Sequence, residues 1–195
     1  YQNIKVILKG MFLNQDLSYL LMNVGTINAN ELKVMIENGN LSDLPHTMRE
    51  AVEEAKADFE TTKDPQMIDV ILDRYMFKAL VEIKKEINYT FVDKYVDALV
   101  DSTNLKTLLR VKKQHKGREF FTSVIIEGGS IDKDKLLGML NDTPENIVTK
   151  LAFTNYADFV RIGIEEYTKN GSVSLFEKLA DNYVMSMMKD AKIIP

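Results

Sequence analysis

Few residues in this chain have the types and spacing that reaction chemistry needs. Cysteine is absent, and the two histidines, His46 and His115, stand far apart. Neither is joined by the further His or carboxylate ligands of a metal site with an open position. Without a thiol, nucleophilic catalysis would need a Ser-His dyad, and nothing in the sequence brackets one. His46 follows Pro45 at a helix start, and His115 sits in the basic stretch Lys112 to Arg118, so surface or capping roles suit both. Gly128-Gly129 is the only adjacent glycine pair. A phosphate cradle would need more glycines and a Lys-Ser or Lys-Thr opening a helix, whereas Ser130-Ile131 follows here. The doublet reads instead as a helix stop, with Ser130 or Asp132 as the next N-cap. No catalytic, cofactor-binding or metal-ligating residue is assigned, and no cofactor is expected.

Carboxylates recur at helical spacing, as Asp69 with Asp73 and as Asp93, Asp97 and Asp101. Like charges on one helix face cost a few tenths of a kcal/mol per pair, about 0.2–0.5, unless offset. Lys94 and Lys106 are near enough in sequence to contribute, so these read as a solvated face, with an acidic contact surface as the alternative. The basic stretch 112–118 reads as a polar helix end, since cations suit a helix C-terminus. The ten methionines, Met185, Met187 and Met188 among them, serve equally as core filling or as an adaptable interface.

The elements that must position these residues read as helices throughout. With 195 residues, 45% of them hydrophobic, the chain can bury a sizeable core as one domain or two small ones. The 29 acidic and 25 basic residues are interspersed around a net charge of -4, which disfavours nucleic acid and anionic lipid as partners. No apolar run approaches the roughly 20 residues of a membrane span. The absence of cysteine fits a reducing compartment. The chain opens on Tyr1 inside a helical motif and without a signal-peptide pattern, which suggests an excised piece.

The clearest helix is predicted over Pro65 to Asn88, with Asp64 as N-cap and a stripe of Ile68, Ile71, Leu72, Tyr75, Met76, Ala79, Leu80 and Ile83. A second starts near Tyr89 on Phe91, Val92, Tyr95, Val96, Leu99 and Val100, and either continues past Asp101-Ser102-Thr103 or restarts there. Others are expected at about 3–22, 28–38, 46–61, 117–126, 131–141 and 155–168, with a strongly amphipathic one from about Ser172 to Ala191. The β-branched run Thr122 to Ile126 is assigned to helix, and the chain to the all-α class.

The chain also repeats itself. Asn3-Ile4-Lys5, Gly25-Thr26-Ile27 and Asp73-Arg74-Tyr75 return as Asn104-Leu105-Lys106, Gly129-Ser130-Ile131 and Asp181-Asn182-Tyr183. The order is kept while the offset drifts from 101 to 104 to 108, as small loop insertions would produce. Two tandem helical repeat units are expected, 1–101 with a truncated start and 102–195. Such a duplication suggests a scaffold rather than a catalytic pocket.

Asn3-Ile4-Lys5 with Leu8-Lys9, Asp64-Pro65 with Ile68-Asp69 and Leu72-Asp73-Arg74, Asn104-Leu105-Lys106 with Leu109-Arg110 and Lys113, and Gly128-Gly129 with Ile131 together resemble the C-subunit family of V-type (A/V-type) rotary ATPases, related to the d-type subunit of the eukaryotic V-ATPase. The resemblance spans essentially all of the chain. One departure is Glu127, where the family often has Pro before the Gly-Gly corner. The resemblance implies a non-catalytic central-stalk subunit of three similar helical units forming a funnel, with the third unit beyond Pro195. It implies partners in the central shaft subunits (D/F type) and the membrane rotor ring. Such a protein lies peripherally on the cytoplasmic face, without membrane insertion, in a heteromeric complex that transports sodium ions or protons or makes ATP. A generic α-helical adaptor or solenoid scaffold is the alternative for which the repeat alone suffices.

Overall fold

A computed structural model describes residues 1–191, so the last residues of the second expected repeat lie outside it. The described residues form helices and connecting turns, with no strand. The helices are α1 (Gln2–Leu13), α2 (Ala29–Asn38), α3 (His46–Thr62), α4 (Pro65–Ile87), α5 (Thr90–Lys113), α6 (Arg118–Val124), α7 (Lys133–Met139), α8 (Pro144–Leu151), α9 (Ala157–Asn170) and α10 (Ser174–Ala191), and a single 3-10 turn spans Ser18–Leu20. Two compact units divide the chain inside α4, the first covering Tyr1–Leu80 and the second beginning at Val81.

Local chemistry sets most of the helix ends. Asn28, Asp132 and Thr143 accept hydrogen bonds from the first exposed N–H groups of α2, α7 and α8. Asp64 does the same for α4, accepting from the Gln66 N–H at 2.9 Å. At the other ends, the chain leaves α1 through Asn14, α3 through Lys63 and α9 through Gly171, all in the left-handed region with φ of 50°, 55° and 69°.

The expected helix over 3–22 is cut short. α1 stops at Leu13 because Asn14 turns left-handed and the Gln15 N–H returns to the Gly10 carbonyl at 2.9 Å. The polar run Asn14-Gln15-Asp16 offers no apolar residue to continue the buried stripe. Asp101-Ser102-Thr103 holds no new cap, and α5 runs through it unbroken. α6 ends at Val124, leaving Ile125 extended. Gly128-Gly129 therefore lies beyond the helix end as a separate corner and is not the helix stop expected of it. On α4 the stripe does not reach its expected end: Ile83 is exposed, whereas Phe77, outside the stripe, is buried.

The core of the first unit joins Ile4, Ile7 and Leu8 of α1, Leu32 and Ile36 of α2, Ala51, Val52, Ala55 and Phe59 of α3, and Ile68, Ile71 and Leu72 of α4. Phe12 stacks on Phe59 with ring centroids 4.2 Å apart. In the second unit α5 is the central helix. Its segment from Val100 to Leu109 is buried on several faces, which leaves it little net amphipathicity. α10 packs against α5 and α9 through Phe176, Ala180 and Val184, the stripe expected of it.

Candidate functional site

The polar side chains that the sequence singles out converge on a set of interhelical ties, built once in each unit. In the first unit Asn3, buried on α1, clamps one backbone position: its Nδ2 donates to the Met22 carbonyl at 2.7 Å, and its Oδ1 accepts from the Met22 N–H at 2.9 Å. In the second, Asn104 of α5 does the same to Ile126, at 2.8 and 2.9 Å. Two residues further along, Lys5 Nζ meets Asp73 of α4 at 2.6 Å, and Lys106 Nζ meets Asp181 of α10 at 2.6 Å. One turn later Lys9 pairs with Asp69 at 2.6 Å, and Arg110 with Glu177 at 2.5 Å. The cations four residues apart share one helix face, and the acidic partners, also four apart, match them on the facing helix.

Of the five spaced aspartates, Asp69, Asp73, Asp97 and Asp101 are spent internally, and Asp93 has no such tie among the described residues. Asp69 and Asp73 are paired, and Asp97 holds Lys84 at 2.5 Å. Asp101 departs furthest from expectation, being fully buried rather than part of a solvated face. Its Oδ2 accepts from the Ser130 N–H at 3.0 Å, the Ser130 hydroxyl at 2.5 Å and the Tyr156 hydroxyl at 2.7 Å, while Oδ1 accepts from the Ile131 N–H at 3.1 Å. Four donors are what a buried carboxylate requires to remain buried. Burial, and then the hydrogen bond to this carboxylate, push the Tyr156 phenol far above its ordinary range. Both glycines of the doublet have a reason: Gly128 has φ 105° and a Cβ there would stand 2.5 Å from Val81, and Gly129 sits against α5. A Cβ there would stand 2.2 Å from Asp101 Oδ1 and 2.9 Å from Val100, so only glycine lets the corner approach α5.

Each unit adds ties of its own. Glu54 of α3 accepts from Arg74 and from the Tyr75 hydroxyl, the latter at 2.8 Å. Burial works to raise the Glu54 carboxyl, but these two donors outweigh it and hold it below the usual value. In the second unit Tyr156, Phe159, Phe176 and Tyr183 form an aromatic cluster with centroids 5.4–5.9 Å apart.

The basic stretch separates into two roles. Lys112 turns inward and donates to the carbonyls of Leu140 and Asp142, both at 2.7 Å. Lys113, Lys116 and Arg118 stay exposed, with Lys116 3.9 Å above the Phe120 ring. His46 pairs with Glu50 one turn on, at 3.4 Å, a contact that the i,i+4 spacing could have signalled; His115 occupies a left-handed backbone position. Met187 packs against the core, and Met185 and Met188 are exposed.

Among the described residues no three His, Cys, Asp or Glu side chains gather where a metal could sit, and no helix is long and apolar enough to cross a membrane. A groove of about 600 Å3 lies between α8 and α9, lined by Val148, Arg161, Ile164 and Thr168. The ties described above form bonds within each unit; their chemistry is that of fastening helices.

The chain has relatives. A family model described as "ATP synthase (C/AC39) subunit" matches residues 1–195. The chain is also 29% identical over 192 residues to the C subunit of the V-type sodium ATPase of Enterococcus hirae, a match that covers 98% of the chain. It spans 58% of that relative's length. No solved structure matches it. The family match runs from end to end and so takes in the Asn, Lys and acidic positions of both units: the chain belongs to the ATP synthase (C/AC39) subunit family, to which the C subunits of V-type ATPases belong.

Proposed function

We propose that the chain is the larger part of a non-catalytic central-stalk subunit of a bacterial or archaeal V-type rotary ATPase. It would couple the rotor shaft to the membrane rotor ring, lying peripherally on the cytoplasmic face. The observation that carries this reading is the family match over all 195 residues. Residues 1–101 and 102–195 are read as two copies of one helical unit, with a third beyond them. The duplicated ties support that division: Asn3, Lys5 and Lys9 act as Asn104, Lys106 and Arg110 do.

The physics suits the role. A coupling element must carry torque without yielding, which calls for long helices tied to one another at several points. α4 and α5 have 23 and 24 residues, each about 35 Å long at 1.5 Å per residue. The exposed cations Lys113, Lys116 and Arg118 and the fully exposed Phe153 are the candidate contact points for shaft or ring.

The test is purification of the full-length protein from its own cells. It is expected to bring down shaft subunits or rotor-ring subunits and to hydrolyse no ATP when isolated. Intrinsic ATP hydrolysis, or association with neither partner, would overturn the proposal.

A further inference from the structure

We infer that the corner Thr26-Ile27 is the seat of a carboxylate supplied one residue upstream of Tyr1, in a helix that continues α1 towards the N-terminus. The inference rests on the two-copy reading above, with the start of the second copy moved back along α5 to take in Asp101. In the second copy the seat is occupied within the chain: Asp101 stands three residues before the clamp Asn104 and takes the Ser130 N–H, the Ser130 hydroxyl and the Ile131 N–H. The first copy carries the same parts in the same order. Thr26 matches Ser130 and Ile27 matches Ile131. Each pair is followed at once by a capping side chain, Asn28 before α2 and Asp132 before α7.

The Asn clamps fix the register independently of this corner. Asn3 and Asn104 hold Met22 and Ile126, and those two residues lie the same four positions before Thr26 and Ser130. Three residues before Asn3 is the position preceding Tyr1.

Two features of the first copy fit a carboxylate there. Among the described residues, no hydrogen bond uses the Thr26 N–H, the Thr26 hydroxyl or the Ile27 N–H, the three donors whose counterparts serve Asp101. These residues line a cavity of about 140 Å3 together with Tyr1, Asn3, Met22 and Gly25. That cavity lies where the matching side chain would arrive. The counterparts of these three donors converge on one carboxylate in the second copy, and a hydroxyl beside two backbone N–H groups suits the two oxygens of such a group. In the second copy α5 continues upstream of Asp101 as far as Thr90, so a helix running on from α1 is what the match requires.

The experiment uses the full-length protein, purified on its own so that the readout does not depend on assembly. Amide exchange at Thr26 and Ile27 is compared between the native protein and a variant with alanine at the position preceding Tyr1. The variant is expected to exchange at least about tenfold faster at both amides, the same change expected of Asp101→Ala at Ser130 and Ile131. Should the alanine variant not fold, Thr26→Val removes only the hydroxyl donor, and faster exchange at Ile27 is expected. The inference is overturned if the upstream residue is neither Asp nor Glu, or if exchange at Thr26 and Ile27 is the same with and without it. Failure of the protein to join an ATPase would sink the stalk reading and leave this result standing.

Discussion

Asp101 is the residue on which the second unit depends most. Removing its carboxylate strands the Ile131 N–H and the Tyr156 hydroxyl in the interior, each at a cost of about 1–3 kcal/mol. Asp101→Ala is therefore expected to lower stability by about 3 kcal/mol in urea denaturation, against less than about 1 kcal/mol for Asp97→Ala, whose ion pair is partly solvated. Equal losses would refute the ranking. Tyr156 supplies a pH dependence of definite sign. Its phenol is raised in the folded state from the ordinary 10.0, so the neutral form is the one the fold favours. The contribution is fully present below pH 10 and is lost as the pH climbs further and the unfolded phenol ionises. The urea midpoint of the native protein should fall more steeply above about pH 10 than that of Tyr156→Phe. Parallel curves would rule this out.

At the scale of elements, the sequence reveals helices better than their junctions. The paired-apolar periods of α4, α5 and α10 identify those helices, and Asp64 and Asp132 mark where helices start. α8 escapes because it is short and shows the core only Ile147 and Leu151; Thr143-Pro144, a capping hydroxyl followed by a first-turn proline, is the signal that would have found it. Asp93, Asp97 and Asp101 look alike on a helix drawn alone. What separates Asp101 is Ser130 and Tyr156, residues 29 and 55 positions away, and no local pattern reports a contact at that range. The Lys-Asp ties were hidden for the same reason: Lys5 and Asp73 are each legible, their meeting is not. Close approach at a corner is likewise a tertiary fact. Gly129→Ala must push α5 and the corner apart and is expected to cost more than about 2 kcal/mol, within the range for overpacking. Gly138→Ala, with open space around it on α7, should be neutral or up to about 1 kcal/mol stabilising. Thermal melts of the two variants test this, and similar melting temperatures would contradict it.

For the whole molecule, the family match supplies the expectation of partners, while the ties fasten the helices within each unit. The expected association with shaft or ring subunits belongs to this scale, because no single residue or helix predicts it. The resemblance read from the order of motifs and the match over the full chain agree on the family, even though each motif taken alone is only a short polar and apolar pattern. Lys63 and Gly171 carry a further meaning. Both leave their helix through the same left-handed turn, and each stands ten positions before the aspartate that answers a lysine, Asp73 for Lys63 and Asp181 for Gly171. Yet one bears a side chain that this conformation disfavours and the other does not. On the proposed two-copy reading these are two solutions to one backbone problem inside a single polypeptide, and each copy is then a draft against which the other can be edited.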